Sequence, residues 1–145
     1  MNIKADKMRY QTNKSGYALV LLGLAISVAA LFRIITPNTV VPNHLTALEI
    51  VINIILLLTT FLAAERCKIY EKKWAIISMI IAGIHVLRIL FVPRNLFTKG
   101  QITFVQFSWI AALLIIAAVC IALGGFITLT KYYRILHKHL RELGE

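Results

Sequence analysis

Six side chains that can carry charge or form strong hydrogen bonds lie within, or at the ends of, strongly apolar runs of this sequence. They are Arg33, Glu49, Asn53, His85, Arg88 and Gln106. A charged group inside a lipid bilayer costs free energy, so such residues usually face protein or water and mark binding sites, ion pathways or ion pairs. We therefore expect these six residues to form a ligand-binding or ion-pair cluster.

The charges of this set do not balance. Arg33 and Arg88 carry two positive charges against the one negative charge of Glu49. Such an excess favours an anion, a ligand with a carboxylate, or an acidic residue of a partner subunit. In a purely structural alternative, Glu49 pairs with one arginine, the other extends to the membrane surface, and the cluster only fixes the register of the helices.

Glu49 also fits a local role. Thr46 and Glu49 have the spacing of a capping box, in which a carboxylate accepts a hydrogen bond from a free backbone N–H at a helix start. Asn53 and Thr60 follow at intervals of four and seven residues, so Glu49, Asn53 and Thr60 form one polar stripe on an otherwise apolar helix. We expect this stripe to face protein or water rather than lipid.

His85 lies within the third apolar segment, and three roles are open to it. A proton relay would need a nearby carboxylate, for which Glu49 is the one acidic residue inside the apolar segments. Haem is not expected, because His44, His137 and His139 lie in a loop or the C-terminal tail and cannot supply a second ligand at that depth. The third role is a hydrogen bond to a neighbouring helix.

Other patterns that carry chemistry are missing from the sequence. Cys67 and Cys120 form no CxxC motif and no Cys/His spacing typical of a metal site. There is also no Ser/His/Asp set, no HExxH motif, no pair of carboxylates and no glycine-rich phosphate loop. We expect no metal and no cofactor, and the sequence favours a protein that is not an enzyme.

The elements that must position these residues are membrane-spanning helices. Hydrophobic residues make up 59% of the 145-residue chain and its mean hydropathy is +0.80, which is too apolar for an ordinary soluble domain. A spanning helix needs about 20 mostly apolar residues. The sequence contains four such segments, which are 16–36, 45–64, 74–92 and 102–130. We predict an all-α integral membrane protein, a single-domain four-transmembrane-helix bundle in which Pro37 and Pro93 end the first and third helices.

The net charge of +10 is arranged around these segments rather than on a face for nucleic acid. Basic residues concentrate in the N-terminal tail, the second loop and the C-terminal tail, namely Lys4, Lys7, Arg9, Lys14, Arg66, Lys68, Lys72, Lys73, Lys131, Arg134, Lys138 and Arg141. The first loop has no Lys or Arg, and the third has Arg94 and Lys99. This bias predicts a cell-membrane protein with both termini in the cytoplasm.

The two ends of the chain each allow a second interpretation. Ser27-Val28-Ala29 loosely resembles the cleavage site of a signal peptide, but the apolar run continues to Arg33, and the charge bias requires this helix to be retained. The tail 131–145 has the pattern of a basic amphipathic helix, which predicts contact with anionic lipid headgroups. The alternative for the tail is a solvated helix end.

The two halves of the sequence share an order of features. Each has an arginine near a helix end, a proline loop, a Leu/Ile-Thr pair, two apolar residues, and then Glu or Gln. If this reflects a duplication, the chain consists of two parallel helical hairpins. Arg33 and Glu49 would then be equivalent to Arg88 and Gln106.

Three functions remain open at the level of sequence. The first is a non-enzymatic subunit or accessory component of a membrane transport or signalling assembly, because four helices enclose little interior and need partner subunits or self-association to build a pathway. The second is a self-contained oligomeric transporter or channel for a small anion or a proton-coupled substrate. The third and weakest is a membrane enzyme that acts on a lipid or a quinone.

Overall fold

The structure, a computed structural model, describes residues 13–35 and 44–142. Within these ranges the chain forms four α-helices, which are α1 (Lys14–Ile35), α2 (His44–Lys68), α3 (Lys72–Thr98) and α4 (Phe104–Glu142). Each helix is long and apolar enough to cross a membrane. The chain is therefore an all-helical, multi-pass membrane protein.

Some features that the sequence predicts fall outside the described residues. They are the end of the first helix at Pro37, the basic residues Lys4, Lys7 and Arg9, and residues 143–145 of the tail.

Two helices end in the same kind of turn. Tyr70 after α2 and Gly100 after α3 adopt positive φ angles of 57° and 67°. In each turn the N–H of the next residue donates to a carbonyl near the end of the helix, at 3.2 and 2.9 Å respectively. These bonds satisfy carbonyls that the helix end would otherwise leave free. The two short connections therefore reverse the chain and hold consecutive helices antiparallel.

Pro93 does not end the third helix, contrary to the prediction. α3 continues to Thr98, and Pro93 lies buried inside it. Proline removes one helical hydrogen bond, but in a membrane helix the neighbouring helices and local backbone adjustments compensate for that loss. The turn at Gly100 ends α3 instead.

α4 continues without a break from Phe104 to Glu142. Residues 131–142 of the predicted tail are therefore part of the last helix. At 1.5 Å per residue, a helix of 39 residues spans about 58 Å, whereas the hydrocarbon core of a bilayer is about 30 Å thick. One end of α4 must project well beyond the apolar layer.

The helices pack in a ring in which α1 contacts α2 and α4, and α3 contacts the same two helices. Two adjacent glycines explain how closely α4 approaches both of its neighbours. A Cβ atom on Gly124 would lie 2.9 Å from the carbonyl oxygen of Gly16 in α1. A Cβ atom on Gly125 would lie 2.7 Å from the carbonyl oxygen of Ala75 in α3. Small residues allow this close contact in membranes, where packing rather than water exclusion holds helices together.

The described surface is apolar, and the interior holds several polar side chains among its apolar ones. Large hydrophobic side chains point outward, such as Phe91, Leu58 and Phe32, which are 70%, 67% and 64% exposed. Several polar side chains lie inside, among them Asn53, Ser78 and Thr128. A soluble protein would carry mostly polar side chains on its surface, whereas lipid favours an apolar surface because acyl chains cannot hydrogen-bond to polar groups.

Candidate functional site

Four of the six residues that the sequence singles out meet between α2 and α3. Glu49 and Asn53 lie one turn apart on α2, and His85 and Arg88 lie one turn apart on α3. All four are buried, with exposures of 2%, 0%, 1% and 4% in that order. We call these four residues the buried polar cluster.

An ion pair holds the cluster together. Arg88 Nε donates a hydrogen bond to Glu49 Oε1 at 3.1 Å, and Arg88 Nη2 donates to the same oxygen. The two charges therefore neutralise each other across the interface of α2 and α3. Removing either partner would leave the other charge buried and uncompensated, which is far more costly than the pair itself.

Asn53 and His85 each support one member of the ion pair. Asn53 Nδ2 donates to the Glu49 carbonyl oxygen at 3.0 Å and to Glu49 Oε1 at 3.1 Å. His85 Nδ1 lies 3.1 Å from Arg88 Nη1. A guanidinium has no acceptor, so His85 Nδ1 must accept this hydrogen bond, and neutral His85 carries its proton on Nε2.

Two atoms of the cluster have no hydrogen-bond partner within the described part of the chain. They are Asn53 Oδ1 and His85 Nε2. Buried polar groups in proteins are almost always paired, and an unpaired one requires an explanation. The cluster therefore presents one free acceptor and one free donor in addition to its closed ion pair.

Arg33 does not join the cluster. The buried stripe of α1 runs through Ser27, Ala30 and Ile34, at the alternating three- and four-residue spacing of a packed helix face. Arg33 lies one residue, or about 100° around the helix, from Ile34, and its side chain is exposed. The cluster thus contains one cation and one anion, without the excess of positive charge that the sequence alone suggested.

Gln106 is also exposed and has a local partner. Its Oε1 accepts a hydrogen bond from the N–H of Thr103 at 2.8 Å, and its own N–H donates to Thr103 Oγ1 at 3.3 Å. This reciprocal pair is a capping box at the start of α4. Glu49 has the same spacing from Thr46, but α2 begins earlier, at His44, and the Glu49 carboxylate faces Arg88.

The polar stripe of α2 faces protein, as the spacing indicates. Glu49, Asn53 and Thr60 are all buried, and Thr60 donates from its hydroxyl to the Leu56 carbonyl oxygen at 2.6 Å. The two positions of the proposed duplication nevertheless differ in environment, since Glu49 is buried and Gln106 exposed. The duplication stays a prediction.

Sequence reasoning missed a second polar site at the other end of the helices. Asn13, which is fully buried, donates from Nδ2 to Thr128 Oγ1 in α4 at 2.7 Å, and its N–H donates to the Lys68 carbonyl oxygen in α2 at 2.9 Å. Its Oδ1 accepts from the N–H of Gly16 at 3.2 Å, so Asn13 is the N-cap of α1. The signal that could have found it is the residue type, since asparagine is a preferred N-cap residue.

Asn13 marks the end of the molecule where basic residues gather. Lys131 Nζ donates to Asn13 Oδ1 at 3.2 Å and to Ser15 Oγ at 2.5 Å. We call this the basic end, defined by Lys14, Lys68 and Lys131. The buried polar cluster lies toward the opposite end, because Glu49 is near the start of α2 and Lys68 at its finish.

The described residues contain no group of three His, Cys, Asp or Glu side chains that could hold a metal ion. Comparison of the chain with known protein families, characterised proteins and solved structures finds no match.

Proposed function

We propose that this protein is a non-enzymatic four-helix membrane bundle that acts as a subunit or accessory component of a membrane transport or signalling assembly. The observation that carries the proposal is the closed ion pair of Glu49 and Arg88. Both charges are buried and satisfied by each other, which is the arrangement expected of residues that fix helix register.

The outer surface supports the same proposal. Large apolar side chains cover the outward faces of α2, α3 and α4, for example Leu58, Phe91 and Phe126. Such faces suit both lipid and the helices of other membrane subunits or further copies of this chain. Four packed helices enclose little space, so a pathway through the membrane would need such neighbours.

The distribution of charge supports an orientation in the cell membrane with both termini in the cytoplasm. Lys14, Lys68 and Lys131 define the basic end, and positive residues usually stay on the cytoplasmic side. At this end of α4, the Tyr133 ring lies 5.1 Å from Lys72 Nζ. The basic residues of α4 beyond 131 are placed to contact anionic headgroups of the inner leaflet.

A second candidate is a self-contained carrier for a small anion or a proton-coupled substrate. The observation that favours it is the pair of unpartnered polar atoms, Asn53 Oδ1 and His85 Nε2, beside the ion pair. A cluster whose polar atoms were all hydrogen-bonded would offer no group to bind a substrate. These two atoms can each form a hydrogen bond to one.

Purification from the native membrane distinguishes the two candidates. We expect the tagged chain, extracted in a mild detergent, to bring down other membrane polypeptides in fixed stoichiometry. A matched control is a second abundant membrane protein with the same tag. If the chain instead purifies alone and supports chloride or proton flux in liposomes that Glu49→Gln abolishes, the subunit proposal is wrong and the carrier is correct.

A further inference from the structure

We propose that Asn53 and His85 form a binding site for a hydroxyl group, supplied either by an internal water molecule or by a small phenol or alcohol dissolved in the lipid. The site would exist whether the chain is a subunit or a carrier, so the inference does not depend on the proposed function.

The amide orientation of Asn53 follows from its neighbours. Both atoms that contact Nδ2, the Glu49 carbonyl oxygen and Glu49 Oε1, are acceptors. A flipped amide would place an oxygen against two oxygens, so the nitrogen must occupy this position. The free atom is therefore the acceptor, Asn53 Oδ1.

The tautomer of His85 follows in the same way. Arg88 can only donate, so His85 Nδ1 accepts and Nε2 bears the proton. The free atom is therefore a donor, His85 Nε2–H. The two free atoms are complementary to a group that can accept one hydrogen bond and donate another.

Both residues lie on the same side of the ion pair. Asn53 follows Glu49 by four residues on α2, which is about 6 Å toward the basic end. His85 precedes Arg88 by three residues on the antiparallel α3, which is about 4.5 Å in the same direction. Asn53 and His85 thus lie at a similar level of the interface, next to the ion pair.

The next layer is apolar and tightly packed. Leu56 on α2 and Ile81 and Ala82 on α3 are buried in one hydrophobic cluster with Ala118 and Ile121 of α4. In these surroundings an unpaired N–H or carbonyl group is costly, so a partner of the right polarity binds favourably.

The balance of charge selects a neutral group. Glu49 and Arg88 already neutralise each other, so a charged ligand would bring an unpaired charge into the interior. A carbonyl would satisfy His85 alone. A hydroxyl offers an acceptor and a donor on a single oxygen and can satisfy both residues.

The test uses fluorine NMR on the purified chain in phosphatidylcholine nanodiscs, with para-fluorophenol as the probe and fluorobenzene as the matched probe that lacks the hydroxyl. We expect saturable binding of para-fluorophenol above that of empty nanodiscs, and about tenfold weaker binding of fluorobenzene, which can form neither of the two hydrogen bonds. Asn53→Leu and His85→Phe each remove one of these two hydrogen bonds, so each should weaken phenol binding by about threefold. Thr60→Val is the control, because the Thr60 hydroxyl bonds only within its own helix.

The second arm identifies water as the source. If para-fluorophenol does not bind saturably, nitrogen-edited NMR of wild-type protein should show the His85 Nε2 proton in contact with a long-lived water molecule. The proposal is overturned if that proton contacts neither probe nor water, or if phenol binding is unchanged in folded Asn53→Leu and His85→Phe proteins. The wild-type measurements decide the matter even if the variants do not fold, and they are independent of the purification experiment above.

Discussion

The ion pair of Glu49 and Arg88 is the feature on which the interface of α2 and α3 depends. Its two side chains are 3% and 5% exposed, so water screens neither charge. Asn53 and His85 hold the two groups in place through further hydrogen bonds. At the scale of single residues, the main question is whether this pair stabilises the fold as a unit.

Glu49→Gln or Arg88→Met alone should lower the free energy of unfolding by about 3–5 kcal/mol, because each leaves one buried charge without its partner. The double variant should lose clearly less than the sum of the two. Reversible unfolding in mixed micelles with increasing dodecyl sulfate measures the free energy of unfolding of all three variants. Arg33→Met is the control, since Arg33 is exposed, and it should stay near wild type. Additive losses in the double variant would show that the two side chains do not interact.

At the scale of whole elements, α4 is the helix around which the packing is built. It contacts α1 through Gly124 and α3 through Gly125, so neighbouring positions serve two different partners. Adjacent glycines in a membrane helix allow close packing, and here the unbroken helix packs closely against both neighbours.

Gly125→Ala should destabilise the protein by about 1–3 kcal/mol, because the added methyl group would overlap the backbone of α3 at Ala75. Gly83→Ala is a matched control in a neighbouring helix, since a Cβ atom there meets nothing within 4 Å. That change should be neutral or stabilise by up to about 1 kcal/mol through the better helix propensity of alanine. Thermal unfolding in detergent compares the stability of the Gly125→Ala and Gly83→Ala variants. Equal effects would mean that α3 and α4 are not in close contact at this point.

At the scale of the whole molecule, the open property is its orientation in the membrane. The structure places the start of α1, the end of α2 and Lys131 of α4 at one end, through the hydrogen bonds of Asn13. From the positive-inside rule we predict that the basic end faces the cytoplasm.

Reporter fusions test this orientation. Green fluorescent protein fused after Glu145 should fluoresce, because it folds in the cytoplasm, and alkaline phosphatase fused after Gly100 should be active, because it requires the outer side. If the two reporters are exchanged, neither fluorescence nor phosphatase activity should be detected. Activity of the phosphatase at the C-terminus would show that the chain is inserted in the opposite direction.

The sequence by itself determined the class of protein and the approximate position of each helix. Apolar runs of about 20 residues need no tertiary information to be recognised, because the cost of burying backbone and charge in lipid is a property of the segment alone. It also marked Glu49, Asn53, His85 and Arg88 as costly residues that require a partner. Helix ends were less certain, as Pro93 shows, because neighbouring helices can compensate for a proline.

Only the tertiary structure decided which costly residues meet. Arg33 and Arg88 look alike in the sequence, yet one is exposed and the other pairs with Glu49, because a rotation of about 100° per residue separates a buried helix face from an exposed one. Glu49 and Gln106 likewise share a capping spacing, yet the Glu49 carboxylate faces Arg88, whereas Gln106 forms the box with Thr103. Spacing along one helix can indicate its buried face, but which residues meet across two helices depends on the relative rotation and depth of both, which the packing of the whole bundle sets.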